Sequence, residues 1–65
     1  MKLYLEFRMK EKGVSRADLQ KLLGISEKTL RNKLNGTSDF TWGEAKAIRG
    51  GFFPDDDYEQ LFTES

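Results

Sequence analysis

Apolar residues along this chain recur mostly at intervals of three and four, the spacing that places them on one face of an α-helix. In the first ten residues they instead occupy every second position, namely Leu3, Leu5, Phe7 and Met9. Alternation is typical of a strand, but the same side chains also form two pairs one helical turn apart, and no residue of the stretch is β-branched. We therefore predict a helix from about Leu3 to Lys12, ended by Gly13.

A second helix is predicted after Ser15. Together with Asp18 this serine forms a capping box in which Asp takes the place usual for Glu or Gln. The helix should run from about Arg16 to Leu23 and end at Gly24, where a sharp turn favours a residue that adopts positive φ. We expect its leucines to point inward: Leu19, Leu22 and Leu23.

A third helix follows directly. Ser26 is in position to cap it, and the helical pattern spans Glu27 to Asn35, with Gly36 as the stop. Leu30 and Leu34 stand one turn apart, so we expect them on its inner side.

The remaining residues predict two more helices. Thr41 and Glu44 form another capping box, and the spacing predicts burial of Trp42, Ala45, Ile48 and either Phe52 or Phe53. Two consecutive glycines cost about 1 kcal/mol each relative to Ala, so we expect this fourth helix to end near Arg49. Pro54 and the acidic run Asp55-Asp56-Asp57 should begin a short final helix through Tyr58, Leu61 and Phe62, with carboxylates at its positive end. Five short helices joined by tight turns predict a compact all-α fold, with residues 1–65 as one domain.

Composition narrows the chemistry available to this domain. The 65 residues include no cysteine and no histidine, which removes disulfides, thiol nucleophiles, and the commonest metal ligand and general base. Asp55-Asp56-Asp57 lack the spaced ligands and turn glycine of a calcium loop, so we expect neither a metal nor a cofactor, and no enzymatic activity. No apolar run approaches the roughly 18 residues of a membrane span, and charges at Glu6 and Arg8 argue against a leader peptide. A cytoplasmic location is the resulting expectation.

The net charge of zero hides a division along the chain. Up to Gly36 there are nine basic and four acidic residues, a net charge of +5, and from Thr37 onward there are two basic and seven acidic residues, a net charge of −5. If the halves stay apart, the first half can approach a polyanion. The alternative is that the acidic half folds back and neutralises the basic one.

The second and third helices, with Gly24-Ile25-Ser26 between them, have the arrangement of a helix-turn-helix unit at about residues 16–35. A nine-residue helix is only about 14 Å long, which suits a DNA major groove about 12 Å wide. Its outward side carries groups that can bond to base edges: Glu27, Lys28, Arg31 and Asn32. The plainer interpretation is an ordinary amphipathic helix whose polar side is only solvated.

The segment VSRADLQKLLGISEKTLRNKLNG resembles the helix-turn-helix of the lambda repressor and Cro family, often labelled XRE-like. The matching features are Leu19, Gly24, Ile25, Leu30 and the closing Leu34-Asn35-Gly36, and the likeness extends over nearly the whole chain. It implies a compact five-helix lambda-repressor-like domain, as in small phage and bacterial transcriptional regulators, that binds double-stranded operator DNA, commonly as a dimer.

The resemblance also implies a set of DNA contacts. The positions that match base-facing sites are Ser26, Glu27, Lys28, Arg31 and Asn32. The positions that match phosphate sites are Arg16, Asn35, Thr37 and Ser38. Two residues depart from the family pattern: Gln20 replaces a small residue, usually Ala, and Lys33 replaces an apolar one. We expect either a looser helix crossing, or a Gln20 stem that covers the gap and a Lys33 that extends outward to a phosphate.

The end of the chain allows two interpretations. Tyr58, Leu61 and Phe62 either close the core of one subunit or form a self-complementary patch for a two-fold dimer on a palindromic operator. We favour a homodimer, because one small module gains little affinity over its non-specific binding. The competing hypothesis is an antitoxin-like or adaptor module that binds protein through its acidic C-terminal half. Neither hypothesis involves a membrane or a small-molecule ligand.

Overall fold

The computed structural model describes residues 1–63, which form five α-helices and no β-strand. The helices are α1 (Leu3–Lys12), α2 (Arg16–Leu23), α3 (Glu27–Asn35), α4 (Trp42–Phe52) and α5 (Tyr58–Phe62). The predicted all-α fold is therefore confirmed, and α1 is a helix rather than a strand.

Local hydrogen bonds explain where the middle helices begin and end. Ser15 Oγ accepts from the Asp18 N–H, and the Asp18 carboxylate accepts from the Ser15 N–H, which completes the predicted capping box of α2. Gly24 ends α2 at φ +67°, a backbone conformation that L side chains rarely adopt. The turn between α2 and α3 can therefore be short.

One hydrophobic core lies between the helices. Its fully buried side chains come from every helix and from the residue after α4: Leu5, Leu19, Leu30, Leu34, Ile48, Phe53 and Leu61. In space α1 packs against α5, and α2 packs against both α3 and α4. Only one of the two helical pairs predicted in α1 enters this core, since Leu5 and Met9 are buried while Leu3 and Phe7 are more than half exposed.

Two apolar residues that were expected inside lie at the surface. Trp42 is the first residue of α4 and is 66% exposed, and its ring packs against Tyr58 at a tilt of 38°, with ring centroids 4.9 Å apart. Leu22 is 41% exposed in the last turn of α2, where its methyl groups pack beside Gly51 of α4. The prediction of burial was wrong for both residues.

The fourth helix is longer and the fifth is shorter than predicted. α4 continues through Gly50 and Gly51 to Phe52, and the N–H of Phe53 bonds to the carbonyl of Arg49 at 2.9 Å. Full burial of Phe53 is worth about 1.5–3 kcal/mol, which offsets much of the cost of two helical glycines.

The residues before α5 form a turn, and the helix begins only after Asp57. Asp57 makes no side-chain capping bond, and the neighbouring carboxylate of Asp56 accepts instead from Arg8 Nε of α1 at 2.9 Å. We expected the aspartate carboxylates to stabilise the N-terminal end of α5, and this was wrong for Asp56. Its hydrogen bond, followed by that of Glu11, raises the pKa of Arg8 above its ordinary value.

Ion pairs join the basic and acidic halves of the sequence, among them Arg8–Asp56 and Lys33–Glu44. The acidic half therefore neutralises part of the basic half at these positions. No helix in the described range is long and apolar enough to cross a membrane.

Candidate nucleic-acid interface

The α2–turn–α3 unit presents α3 at the surface of the domain. Leu19 of α2 and Leu30 of α3 are both fully buried, which fixes the two helices against the same core. Ser26 begins α3 by accepting a hydrogen bond from the Thr29 N–H at 3.2 Å. The nine residues of α3 extend about 14 Å, with one long side fixed inside and the other facing outward.

The outer side of α3 carries the residues predicted to contact bases. Glu27, Lys28 and Arg31 are exposed, and Asn32 is half-buried. Ser26 is exposed as well, but its hydroxyl also donates to Thr29 Oγ1 at 3.0 Å, so the α3 cap already engages it. These five positions thus lie at the N-terminal cap of α3 and along its first six residues, while their contacts with bases remain predictions.

The two cations on this side of α3, Lys28 and Arg31, form no salt bridge with any residue of the described range. The guanidinium groups of Arg8 and Arg16, in contrast, both bind carboxylates. An exposed and unneutralised pair of cations attracts polyanions more strongly than the net charge of the chain suggests. Positive charge is therefore available to an anionic partner on the outer side of α3.

Arg16 lies at the first residue of α2, where the resemblance implied a phosphate contact. Its Nη2 is 3.3 Å from Glu6 Oε1, and the side chain is about half exposed. Exposed ion pairs of this length contribute little to stability, so a phosphate can compete for Arg16 at small cost.

The loop between α3 and α4, residues 36–41, carries two further predicted phosphate contacts. Thr37 and Ser38 are exposed, as is Asn35 at the last turn of α3. The loop folds back along α3, because the N–H of Ser38 bonds to the carbonyl of Asn32 at 3.1 Å. Hydroxyl groups and backbone donors therefore lie beside the C-terminal half of the helix.

Lys33 is the one predicted phosphate contact that the structure places elsewhere. Its side chain is 11% exposed, and Nζ donates to Glu44 Oε1 at 2.8 Å and to the carbonyl of Asp39 at 3.0 Å. Lys33 therefore extends inward to α4 and the loop rather than outward. Glu44 lies close enough because it also completes the predicted capping box of α4 by accepting from the Thr41 N–H.

These contacts determine the protonation of Glu44. Its burial acts to raise the pKa, but the hydrogen bonds from Lys33 Nζ and the Thr41 N–H outweigh that effect and hold the pKa below its ordinary value. Glu44 is therefore ionised at neutral pH, as the ion pair requires. The other family departure, Gln20, is half-buried in α2.

The predicted dimer patch is only partly at the surface. Leu61 is fully buried in the core of its own subunit, so that part of the prediction was wrong. Tyr58 and Phe62 are half-buried and line a groove of about 460 Å³ together with Phe40 and Trp42. The sequence interpretation missed Trp42 and Phe40, because the helical spacing of Trp42 suggested the core and Phe40 stood in a polar loop.

Two helices joined by a glycine turn, with a buried inner face and exposed cations on the second helix, define a helix-turn-helix domain. The family model of the Cro/C1-type HTH DNA-binding domain matches residues 5–48, from α1 into α4. This match covers 44 of the 65 residues, and the chain belongs to the Cro/C1-type helix-turn-helix family of DNA-binding domains. No curated protein and no solved structure gave a significant match. The groove residues Tyr58 and Phe62 lie beyond the matched segment.

Proposed function

We propose that this chain binds double-stranded DNA sequence-specifically as a Cro/repressor-like transcriptional regulator in the cytoplasm, with α3 in the major groove. The observation that carries the proposal is the exposed side of α3, where Lys28 and Arg31 form no ion pair within residues 1–63. Family membership supports DNA as the partner.

In this proposal the side chains of α3 select the sequence. Arg31 bonds bidentately to guanine, Asn32 bonds to adenine, and Lys28 reaches guanine or a phosphate. Glu27 accepts from cytosine where the operator offers one, since a carboxylate in the groove otherwise repels phosphates. Ser26 contributes a hydroxyl at the end of the helix that enters the groove.

Contacts with phosphates fix the position of the domain without reading sequence. We assign them to Arg16 at the N-terminus of α2, to Asn35, and to Thr37 and Ser38 of the loop. Lys33 is left out of this set, because both of its resolved donations are to protein groups.

We further propose a homodimer on a palindromic operator, with contact through the aromatic groove of Phe40, Trp42, Tyr58 and Phe62. The support is the exposure of Trp42, since a large aromatic side chain at the surface is typical of a protein contact. Two-fold pairing presents two α3 helices about one DNA turn, roughly 34 Å, apart.

Selection of bound sequences from a random DNA pool tests this function most directly. We expect an enriched motif with inverted symmetry, and a plot of log K against log salt that falls by about 0.9 for each phosphate contacted. No binding to random or selected duplexes at low salt would contradict the proposal. An enriched motif without symmetry would support sequence-specific DNA recognition but contradict a palindromic operator.

A second candidate function is an antitoxin-like or adaptor module that binds another protein. The observation in its favour is the same aromatic groove, which lies beside the acidic residues Asp39 and Glu59. A partner that binds the groove without displacing DNA, in a chain whose DNA binding is weak and unselective, would favour this function over the first.

A further inference from the structure

The α3–α4 loop, residues 36–41, is held by hydrogen bonds to both of the helices that it connects. Ser38 N–H bonds to the Asn32 carbonyl, the Asp39 carbonyl accepts from Lys33 Nζ, and the Thr41 N–H bonds to Glu44 Oε1. A six-residue polar loop without such bonds would sample many conformations.

Lys33 is the only side chain of α3 that joins these bonds into one set. Its ammonium bridges the Asp39 carbonyl of the loop and the Glu44 carboxylate of α4, and it lies 5.9 Å from the centre of the Phe40 ring. The Lys2 ammonium lies 5.8 Å from the same ring, and Phe62 meets it edge-on at 5.4 Å. Phe40 is thereby held in the groove, and the loop is fixed at Ser38 and directly after it.

We infer that Lys33 and Glu44 are positioning residues for DNA binding: they hold the α3–α4 loop so that Thr37 and Ser38 meet a phosphate while α3 contacts the bases. The inference rests on the proposed function, and it assigns to Lys33 an effect on DNA that it exerts without contact. It also explains how Lys33 can occupy a position where the family has an apolar residue. Its side chain is buried, and its ammonium forms an ion pair with Glu44.

Whether Glu44→Gln raises or lowers the affinity for DNA distinguishes a positioning role of Lys33 from direct contact with phosphate. If Lys33 binds phosphate itself, removal of Glu44 frees a cation and removes an anion, so affinity for DNA rises. If the pair positions the loop, Glu44→Gln weakens binding although the chain becomes more positive. We expect a loss of about tenfold, the size of one or two lost hydrogen bonds.

The experiment measures binding of the full chain to its selected operator and to random duplex, for wild type, Lys33→Met, Glu44→Gln and the double variant. All are compared at a temperature at which circular dichroism shows each variant folded. We expect the double variant to bind as weakly as either single one, and the salt slope of Lys33→Met to equal that of the wild type. Lys46→Met removes an exposed lysine of α4 that forms no ion pair within residues 1–63, and serves as the charge-matched control.

A second cycle separates positioning from general destabilisation. In a chain that already carries Thr37→Val and Ser38→Ala, Lys33→Met should cause no further loss of affinity, because the groups that it positions are gone. Tighter binding by Glu44→Gln, a salt slope lowered by about 0.9 in Lys33→Met, or an undiminished loss in this background would each overturn the inference. Failure of the wild type to bind any duplex would instead overturn the proposed function.

Discussion

Lys33 Nζ of α3 and the Thr41 N–H share one acceptor, Glu44 Oε1, at 2.8 Å each. The ion pair between α3 and α4 and the capping box of α4 are therefore not independent. Loss of this one carboxylate removes the counter-ion of a nearly buried ammonium and the acceptor of the Thr41 N–H.

The shared acceptor predicts an acid-sensitive contribution to stability. The folded-state pKa of Glu44 is depressed, so its contribution is fully present above its ordinary pKa of 4.5 and is lost as pH falls through the lower folded value. We expect Glu44→Gln to cost about 1.5 kcal/mol at pH 7, and wild type and variant to converge well below pH 4.5. Urea unfolding from pH 2.5 to 7 measures the difference.

A constant difference across that range would contradict a role for the ionised carboxylate. Asp18 provides the internal comparison, because its pKa is also lowered, first by the hydrogen bond from the Ser15 backbone. The stability of both wild type and Glu44→Gln should therefore still fall at acid pH. Only the difference between the two is due to Glu44.

The separation of base and phosphate contacts predicts different losses for two arginines. Arg31→Ala should lower discrimination between operator and random duplex by about 1–3 kcal/mol. Arg16→Ala should weaken binding to both duplexes by a similar factor and reduce the salt slope by about 0.9. Titration of each variant with both duplexes at several salt concentrations measures both effects, and equal losses for the two arginines would show that the assignment is wrong.

Substitution by alanine should have opposite effects on the free energy of unfolding at Gly50 and at Gly24. Gly50 lies inside α4 with open space around the position of a Cβ, so Gly50→Ala should stabilise the domain by up to about 1 kcal/mol. Gly24 also has open space, but its φ of +67° strains any other residue, so Gly24→Ala should destabilise by about 1 kcal/mol or more. For a domain of this size each kcal/mol shifts Tm by about 4–8 °C, which calorimetry resolves.

Trp42 reports directly on the proposed dimer, because it is the one tryptophan of the chain and is 66% exposed in the monomer. If two copies meet at the aromatic groove, its fluorescence should shift to shorter wavelengths as protein concentration rises. Trp42→Ser should shift sedimentation toward the monomer at a given concentration, while Leu22→Ser, a change at an exposed leucine of α2, should not. Dimers that persist in Trp42→Ser would exclude this groove as their interface.

Local chemistry explains which features of the fold were predictable. Capping boxes at Ser15 and Thr41, and glycines at the ends of α1, α2 and α3, depend on neighbouring residues and can be read from the sequence. Burial depends on other helices, and there the predictions for Trp42 and Leu22 failed. The prediction of where α4 ends was wrong for the same reason, since burial of Phe53 against the other helices outweighs the low helix propensity of two glycines.

The candidate site divides in the same way. Exposure of Lys28 and Arg31 followed from the helical period of α3. The position of Lys33 did not, because its partner Glu44 lies eleven residues away and faces it only once α4 has packed. Nor did the sequence show that Leu61 belongs to the core, since an apolar residue in a final helix suits a core and a dimer interface equally well.

The ion pair between Arg8 and Asp56 joins residues 48 positions apart, whereas α2 and α3 touch across a three-residue turn. Loop-closure entropy grows with the length of the closed segment, so contacts between α2 and α3 are cheaper to form than the docking of α1 on α5. We expect α2 and α3 to associate early in folding and α1 to dock on α5 late. Substitutions at Arg8 should then speed unfolding and leave the folding rate nearly unchanged.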